Sequence, residues 1–337
     1  AIICYKPLEY IDFCKVNALK IIRYNEMYNL KDTVNEIIKS NPNIVISHHN
    51  NDYIKYKKLF SEKYNYLNIE FFYIPLCVRK DIFKDYNHKK IYDITFSGAL
   101  GNSILGNHYP LRQRLLQISM ELVKEYPEYK LYIHKHPGYE LFDSYTNKYS
   151  IELSEIYNKS KICITCSGAP NTRFAKYVEI PSCNSVILGD VPDIENDILN
   201  DNFKDFIINI NLDMSDQEIK DKILLYLKNN DKLEQLREKG YKWSQKYSQA
   251  FYAKNLFKIL IEKINKIKES NKIVQTLWIG DSLTKIEQTC IKRYIDNNHI
   301  VHLYTYSPIK NLPIISSDNK DRFVIKDGNE ILDKSEI

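Results

Sequence analysis

The chain has 337 residues, of which 44% are apolar and 27% charged, so its composition is that of a globular protein and not of a disordered one. A chain of this length exceeds the usual size of one hydrophobic core, which predicts two or more domains. The 48 basic and 43 acidic residues leave a net charge of only +5, which is too small to indicate a nucleic-acid partner.

Apolar runs alternate with polar stretches of helical pattern from the beginning of the chain to about residue 210. The runs predicted as strands are residues 1–5, 19–24, 43–48, 69–75, 92–98, 129–135, 161–166, 185–190 and 206–210. The stretches predicted as helices are residues 31–39, 52–64, 110–125 and 150–159. This alternation predicts an α/β fold with parallel sheets, arranged as two Rossmann-like halves.

The same pattern suggests three domains. A polar stretch at residues 76–90 separates the fourth predicted strand from the fifth, so we place a first, incomplete Rossmann-like domain at residues 1–90. A second such domain occupies residues 91–271 and ends in a helical extension after residue 213. Residues 272–337 open with a strand, a helix and a strand, and we expect this one βαβ unit, with nothing after it, to be part of a third domain.

Seven cysteines, an odd number, favour free thiols in a reducing cytoplasm over a disulfide framework. Cys163 and Cys166 have the spacing of half a zinc site, but they fall within the predicted strand 161–166 and no second pair follows. No apolar run approaches the roughly 20 residues that a membrane-spanning helix needs. The sequence therefore predicts no zinc site and no spanning helix.

Ligands of doubly wound folds bind where the strands end, so residues that follow strands are the first candidates for a site. Gly98 ends one predicted strand and is followed by a glycine-containing loop and a helix that carries Arg112, a combination that predicts an anion site. Another strand is followed by His134, Lys135 and His136, before a Pro-Gly turn, and these side chains could donate to a phosphate or to a leaving oxygen. Ordinary solvated turns are the alternative at both places.

A third strand end carries Ser167, Gly168 and Arg173, and a helix-like stretch at residues 174–179 follows. Small residues admit a ligand, and the start of a helix attracts an anion. We expect Glu179 to lie about two turns into this helix and to accept hydrogen bonds from a ribose diol, with a solvated surface glutamate as the alternative.

Candidates for a catalytic base follow two strands of the first predicted domain. His48 and His49 directly follow residues 43–47 of a predicted strand, and Glu26 comes after strand 19–24. A histidine or carboxylate in a cleft could remove the proton from an acceptor hydroxyl. A purely structural role for the histidines is equally open.

In order and spacing these residues resemble the C-terminal half of GT-B glycosyltransferases, in particular the family 1-like bacterial and viral surface-glycan enzymes, over about residues 93–260. The resemblance rests on Asp93-Ile94-Thr95-Phe96-Ser97-Gly98, on His136-Pro137, on Arg173-Phe174-Ala175-Lys176-Tyr177-Val178-Glu179-Ile180-Pro181 and on residues 185–190. It implies that Glu179 holds the ribose and that Arg112, Lys135 and Arg173 neutralise the diphosphate, within a nucleotide-sugar site that includes Lys176. His136-Pro137 is also similar to the motif of sialyl- and Kdo-type transferases in which a helix start binds a nucleotide phosphate.

The resemblance implies hexosyl transfer from a nucleotide-diphosphate sugar to a glycan, lipid-linked or protein-linked hydroxyl, as in polysaccharide biosynthesis, with no cofactor and no metal at the site. It leaves room for peripheral membrane association. Asn171 stands where many retaining enzymes carry a second glutamate, so the stereochemistry stays open. A nucleotide-sugar epimerase of the same architecture and a non-catalytic nucleotide- or glycan-binding remnant are the alternative functions.

Residues 273–331 resemble something different, the opening of GT-A-like transferases of capsular-polysaccharide type. The matching residues are Leu277-Trp278-Ile279-Gly280, Leu283, Glu287, residues 299–306 and Asp327-Gly328-Asn329-Glu330. The metal-binding Asp-x-Asp of such domains has no room before Ile337. The resemblance therefore implies a segment that is not active by itself.

Overall fold

The computed structural model describes residues 2–5, 18–24, 27, 29–100, 102–103, 106–136, 142–192, 203–270 and 272–336. The chain forms two compact units, Ala1–Asn255 and Leu256–Ile337. Both contain parallel sheets with helices between the strands, so the predicted α/β class is confirmed. No helix in these described ranges is both long and apolar enough to cross a bilayer.

The first unit begins with a four-stranded parallel sheet whose strands follow one another in chain order. Its elements are β1 (Ile2–Tyr5), β2 (Lys20–Tyr24), α1 (Leu30–Ser40), β3 (Ile44–Ser47), α2 (Asn50–Lys63) and β4 (Glu70–Tyr73). Asn29 caps α1 by accepting from the backbone of Asp32, and Asn41 ends the helix in the left-handed region at φ 42°. Buried Ile22, Val45 and Phe60 join these elements into one core.

A second sheet follows in the same unit, with five parallel strands in the order β11-β10-β9-β5-β8. Its strands are β5 (Tyr92–Ser97), β8 (Leu131–His134), β9 (Ser160–Ile164), β10 (Val186–Gly189) and β11 (Ile207–Asn209), and a short antiparallel pair, β6 (Asn102–Ser103) and β7 (Gly106–Asn107), follows β5. Its helices are α3 (Pro110–Glu125), α4 (Phe142–Asn158), α5 (Lys176–Ser182), α6 (Asp216–Lys228), α7 (Asn230–Ser244) and α8 (Gln249–Ser270), the last of which continues into the second unit.

The inner strands β9 and β10 of this sheet are buried on both faces because helices cover both. Ile162 and Ile164 of β9 belong to one buried cluster, whereas Cys163 between them belongs to the cluster on the opposite face. Each fully buried side chain of this kind stabilises the fold by about 1.5–3 kcal/mol relative to an exposed one. The continuous apolar runs of the sequence are thus explained by two-sided burial.

The strand order reverses at β5. The chain first places β8 on one side of β5 and then returns to place β9 on the other side. At such a reversal the connections leave in opposite directions, and a crevice opens at the carboxyl ends of the two strands. The loops that begin at Gly98 and at Thr165 therefore border a crevice that the fold itself creates.

The second unit contains a three-stranded parallel sheet in the order β12-β13-β14. Its elements are β12 (Ile273–Trp278), α9 (Lys285–Asp296), β13 (Ile300–Thr305) and β14 (Phe323–Asp327). The prediction that nothing follows the first βαβ unit is wrong, because β14 pairs in parallel with β13. The strand is a half-buried edge with three consecutive apolar residues among charged ones, so its apolar signal in the sequence is weak.

Candidate active site

A cavity of about 350 Å³ lies in the first unit, beside the carboxyl end of β5. Six of the residues predicted from the sequence line it: His49, Gly98, Arg112, His136, Lys176 and Glu179. These residues come from loops and helix starts that are up to 130 positions apart in the chain (179 − 49). A cavity of this size lies within the range of sites for small molecules and cofactors.

Gly98 lets two cations approach the end of β5. Its φ of +100° lies in the region that residues with a Cβ rarely adopt. A Cβ at this position would stand 2.5 Å from Nζ of Lys176 and 3.2 Å from Nη1 of Arg112. Only glycine therefore fits between these two positive groups.

Arg112 reaches the cavity from the first turn of α3, which begins with Pro110. Its Nη1 donates to the carbonyl oxygen of Ala99 at 3.1 Å, and its guanidinium carbon lies 3.9 Å from the centre of the Tyr109 ring. The side chain is buried, yet its Nε makes no hydrogen bond to any described residue. An acceptor atom of a ligand would satisfy this donor.

Lys176 is the first residue of α5 and is fixed to β5. Its Nζ donates to the carbonyl oxygen of Ser97 and, at 2.9 Å, to the Ser97 hydroxyl, which also pairs with the hydroxyl of Tyr157 at 2.9 Å. Burial lowers the pKa of Lys176, and the neighbouring charge of Arg112 lowers it further. Burial and the charge of Arg112 therefore both disfavour the positive charge of Lys176.

Glu179 lies in the first turn of α5, because this helix begins at Lys176 and not at residue 174. The expectation that it lies about two turns into the helix is therefore wrong. Burial raises the pKa of the Glu179 carboxyl, while the charge of Lys176 acts in the opposite direction. The carboxyl lines the cavity together with Lys176.

Of the two residues predicted at the end of β8, His136 lines the cavity and Lys135 does not. Burial lowers the pKa of His136, and the charges of Lys176 and Arg112 add to this effect. The His136 ring lies with its edge towards Tyr149, 6.1 Å between ring centres. Lys135 is exposed, and Pro137 of the His-Pro motif lies outside the described residues.

Ser167 and Gly168 shape a loop and do not line the cavity. The Ser167 backbone N–H and hydroxyl donate to the carboxylate of Asp190 at 2.7 and 2.5 Å, and Tyr177 donates to the same carboxylate. Gly168 has φ +66°, and a Cβ there would stand 2.9 Å from the carbonyl oxygen of His108. The polar groups of Ser167 are therefore engaged by the protein itself.

Arg173 points into an aromatic cluster instead of the main cavity. Its guanidinium carbon lies 4.5 Å from the ring centre of Tyr247 and 5.8 Å from those of Phe203 and Trp243. The residue also lines a separate, smaller cavity together with His49.

The two histidines after β3 have different surroundings. Nδ1 of His48 donates to the carbonyl oxygen of Ile74 at 2.7 Å, and burial lowers the pKa of His48 to about 4. The His49 ring packs its edge against Phe174, 5.5 Å between centres, and burial lowers the pKa of His49 to about 3. Both rings are neutral at pH 7, and only His49 reaches the cavity. Glu26 lies outside the described residues.

Several lining residues were not predicted. Tyr109, Tyr149 and Phe174 provide aromatic walls, and Leu76, Phe83 and Leu153 provide apolar ones. The chain has 27 tyrosines, so the positions of Tyr109 beside Pro110 and of Tyr149 within α4 carry no signal in the sequence. Across the described ranges there is no group of three or more His, Cys, Asp or Glu side chains placed to hold a metal ion.

No protein-family model matches the sequence, and a comparison with curated proteins finds no significant match. Among solved structures, the chain is similar to the pneumococcal O-GlcNAc transferase GtfA in complex with UDP and GlcNAc, at 14% identity and a TM-score of 0.47 over 72% of this chain and 56% of that one. It is similar to TarM at 13% identity and a TM-score of 0.44, over 70% and 54%. A glycosyltransferase from Rickettsia africae ESF-5 matches at 14% identity and a TM-score of 0.41, over 72% and 70%. The chain thus spans a little over half of the length of GtfA and of TarM.

Proposed function

We propose that the chain is a glycosyltransferase that moves a sugar from a nucleotide-diphosphate sugar to a hydroxyl of a glycan or glycoconjugate. One observation carries the proposal: two cations, the buried Arg112 and the half-buried Lys176, converge on Gly98 at the strand reversal of a doubly wound sheet. A small anion bound there would meet a backbone that no side chain obstructs. The proposal rests on this geometry and on the sequence motifs.

The diphosphate is the part of the donor that fits the cations best. Arg112 offers an unbonded Nε donor, and Lys176 lies beside it with a pKa that the positive surroundings lower. Two negative phosphates would relieve this repulsion and accept charge-assisted hydrogen bonds. When the sugar leaves, negative charge grows on the diphosphate, so the same two cations would stabilise the transition state.

The cavity also has lining residues that suit the ribose and the base of the donor. Glu179 lies on α5 near Lys176, where a ribose attached to the diphosphate would place its hydroxyls. Tyr149, Leu153 and Phe83 form an apolar part of the lining that suits a planar base. His49 and His136 are the two candidate catalytic residues that line the cavity, and we propose that they contact the sugar or the acceptor.

The finer parts of the proposal rest on the sequence alone. They are a hexose as the transferred sugar, a role in polysaccharide biosynthesis, a cytoplasmic location, a site without metal, and a GT-A-like origin of residues 273–331.

Calorimetric titration with UDP, GDP, ADP and CMP tests the donor site. We expect one nucleoside diphosphate to bind the wild type and Lys176→Met to lose at least ~10-fold in affinity, because a charge-assisted bond contributes about 1.5–3 kcal/mol. Lys124→Met, an equal charge change at an exposed position near the end of α3, is the control and should bind as the wild type. Wild-type protein that binds none of the four would overturn the proposal.

Turnover separates transfer from the alternatives. With the matching nucleotide sugar and an acceptor glycan, the nucleoside diphosphate should be released as sugar appears on the acceptor. Conversion of the nucleotide sugar to another sugar nucleotide without acceptor would indicate an epimerase. Binding with no conversion across a panel of sugars and acceptors would indicate a non-catalytic module.

A further inference from the structure

A second, smaller cavity of about 20 Å³ lies in the first unit, between the start of α2 and the loop that follows β9. His49 and Asn50 line it from α2, and Thr172 and Arg173 line it from the loop. His49 also lines the main cavity, so its ring forms a wall of both. We call the small cavity the polar chamber.

The two sides of the polar chamber are tied together. The side-chain amide of Asn51 donates to the carbonyl oxygens of Pro170 and Asn171, both at 3.1 Å. Asn171 adopts the left-handed conformation at φ +51°, which bends the backbone directly before Thr172. The chamber is therefore a built feature of the contact between α2 and this loop.

Three chamber residues contribute buried polar atoms that make no hydrogen bond to any described residue. They are Nδ1 of His49, the amide nitrogen and oxygen of Asn50, and the hydroxyl of Thr172. His49 and Thr172 are only 2% and 5% exposed. Several unsatisfied polar groups in one place cost more free energy than the immobilisation of one water that bonds to them.

The volume sets the size of the occupant. One water needs about 10–15 Å³ and two to four polar partners, and the polar chamber offers about 20 Å³ and four unbonded polar atoms. A single water molecule therefore suits both the size and the polar lining of the chamber.

The charge beside the chamber sets the orientation of that water towards His49. Arg173 lines the chamber together with His49, and a positive charge there favours a lone pair over an N–H on a ring nitrogen that borders the chamber. Nδ1 of His49 should therefore accept a hydrogen bond, and the ring proton should stay on the other nitrogen.

We propose that one ordered water in the polar chamber donates to Nδ1 of His49 and holds this histidine as the neutral tautomer with its proton on Nε2. His49 then acts as a hydrogen-bond donor and not as a proton acceptor. Asn50 and Thr172 are positioning residues, because they act on the ring only through the water. That the Nε2 proton serves a substrate in the main cavity rests on the proposed function, whereas the tautomer itself does not.

The neutral state of the ring follows from its surroundings. Burial and the neighbouring groups His48 and Arg173 lower the pKa of His49 to about 3, so the ring stays neutral between pH 5 and 8. The other titratable or charged residues that share a cavity with His49 are Arg112, His136, Lys176, Glu179 and three tyrosines, Tyr73, Tyr109 and Tyr149. Three of these carry or can carry positive charge and disfavour protonation of His49 as well.

Nitrogen NMR of protein labelled with 15N-histidine tests the tautomer without any nucleotide. The His49 signals, assigned by their loss in His49→Gln, should show a protonated Nε2 and an unprotonated Nδ1, unchanged from pH 5 to 8. A proton on Nδ1, or titration of the ring within this range, would overturn the proposal. Absence of nucleotide binding would instead remove the proposed function and leave this result intact.

A matched pair of substitutions tests the water. Thr172→Val keeps the shape of the side chain but removes its hydroxyl, so the water loses a partner and the Nδ1-protonated tautomer should appear. Thr172→Ser keeps the hydroxyl and should preserve the wild-type spectrum. Thr165→Val is the control, because Thr165 also has a buried, unbonded hydroxyl but does not line the chamber. An unchanged His49 spectrum in Thr172→Val would overturn the role of Thr172 and of the water.

Discussion

The five-stranded sheet of the first unit and the three-stranded sheet of the second have the same parallel pairing but different cavities. The order of the first reverses at β5, and its cavity of about 350 Å³ holds Arg112, Lys176 and Glu179. The order of the second runs in one direction, and its cavity of about 200 Å³ is bounded mainly by apolar residues of β12 and α9, such as Trp278 and Ile291. The reversal opens a crevice at strand ends, whereas the other cavity is space between a helix and its own sheet. A parallel sheet alone therefore does not make a polar site.

The largest effect is expected from Gly98→Ala. The added Cβ would displace Lys176 and Arg112 from the end of β5, and two weakened charge-assisted contacts predict a loss in nucleotide affinity on the order of 100-fold. The backbone strain should also cost roughly 1–3 kcal/mol of stability. Gly280→Ala in the second unit is the matched control, because Gly280 also has a positive φ, of +143°, but its Cβ would meet only Trp278. If calorimetry gave equal nucleotide affinities for Gly98→Ala and the wild type, the cavity at the strand reversal would not be the nucleotide site.

The second prediction concerns protons taken up by the site. Because burial and Arg112 lower the pKa of Lys176, a bound diphosphate should raise it again, so nucleotide binding at pH 8 should take up protons. Calorimetry in two buffers of different ionisation enthalpy measures this uptake. Lys176→Arg should retain most of the affinity and reduce the uptake, and release of protons by the wild type would contradict the assignment of the anion to this site.

A smaller effect is expected from Glu179→Gln. The carboxylate would accept charge-assisted bonds from ribose hydroxyls, and their replacement by neutral ones should weaken nucleotide binding about 10-fold. The melting temperature should barely move, because the side chain lines a cavity and is not packed in the core. Nucleotide affinity equal to that of the wild type would reassign Glu179 to an ordinary solvated role.

The smallest effect is expected from deletion of residues 272–337. The proposed donor-site residues all precede Asp190, and the cavity of the second unit lacks paired cations, so nucleotide affinity should remain that of the wild type. If the shortened protein stayed folded by circular dichroism but lost binding, the second unit would belong to the active site.

Much of the fold could be predicted from the sequence because local patterns determine it. Two-sided burial makes β9 and β10 continuous apolar runs, and the helix over residues 110–125 has the predicted bounds. Gly98 could be proposed for the site because it lies just after a strand, and Glu179 because it belongs to the helix-like stretch that follows a strand end. Edge strand β14 could not be predicted, because its apolar run is short and lies among charged residues.

The partners of the Ser167 and Arg173 side chains could not be predicted from the sequence. Ser167 is held by Asp190, 23 positions away, and Arg173 is surrounded by Phe203, Trp243 and Tyr247. Both polar side chains are of types that suit a ligand site. Only the folded chain shows that protein partners engage them. Local sequence indicates where a group lies along a strand, but its competing partners are set by tertiary structure.

The attachment of Lys176 to Ser97 has a consequence for the thermodynamics of binding. An ammonium group has three protons, and two of them already bond to the carbonyl and hydroxyl of Ser97, whose own hydroxyl is fixed by Tyr157. A lysine free in solvent loses about 0.5–1.5 kcal/mol of rotamer entropy when a ligand immobilises it. Lys176 has lost that freedom on folding, so the direction of its third N–H bond is set before a ligand binds. Preorganisation of this kind should make nucleotide association less entropically unfavourable than in sites built from solvent-exposed lysines.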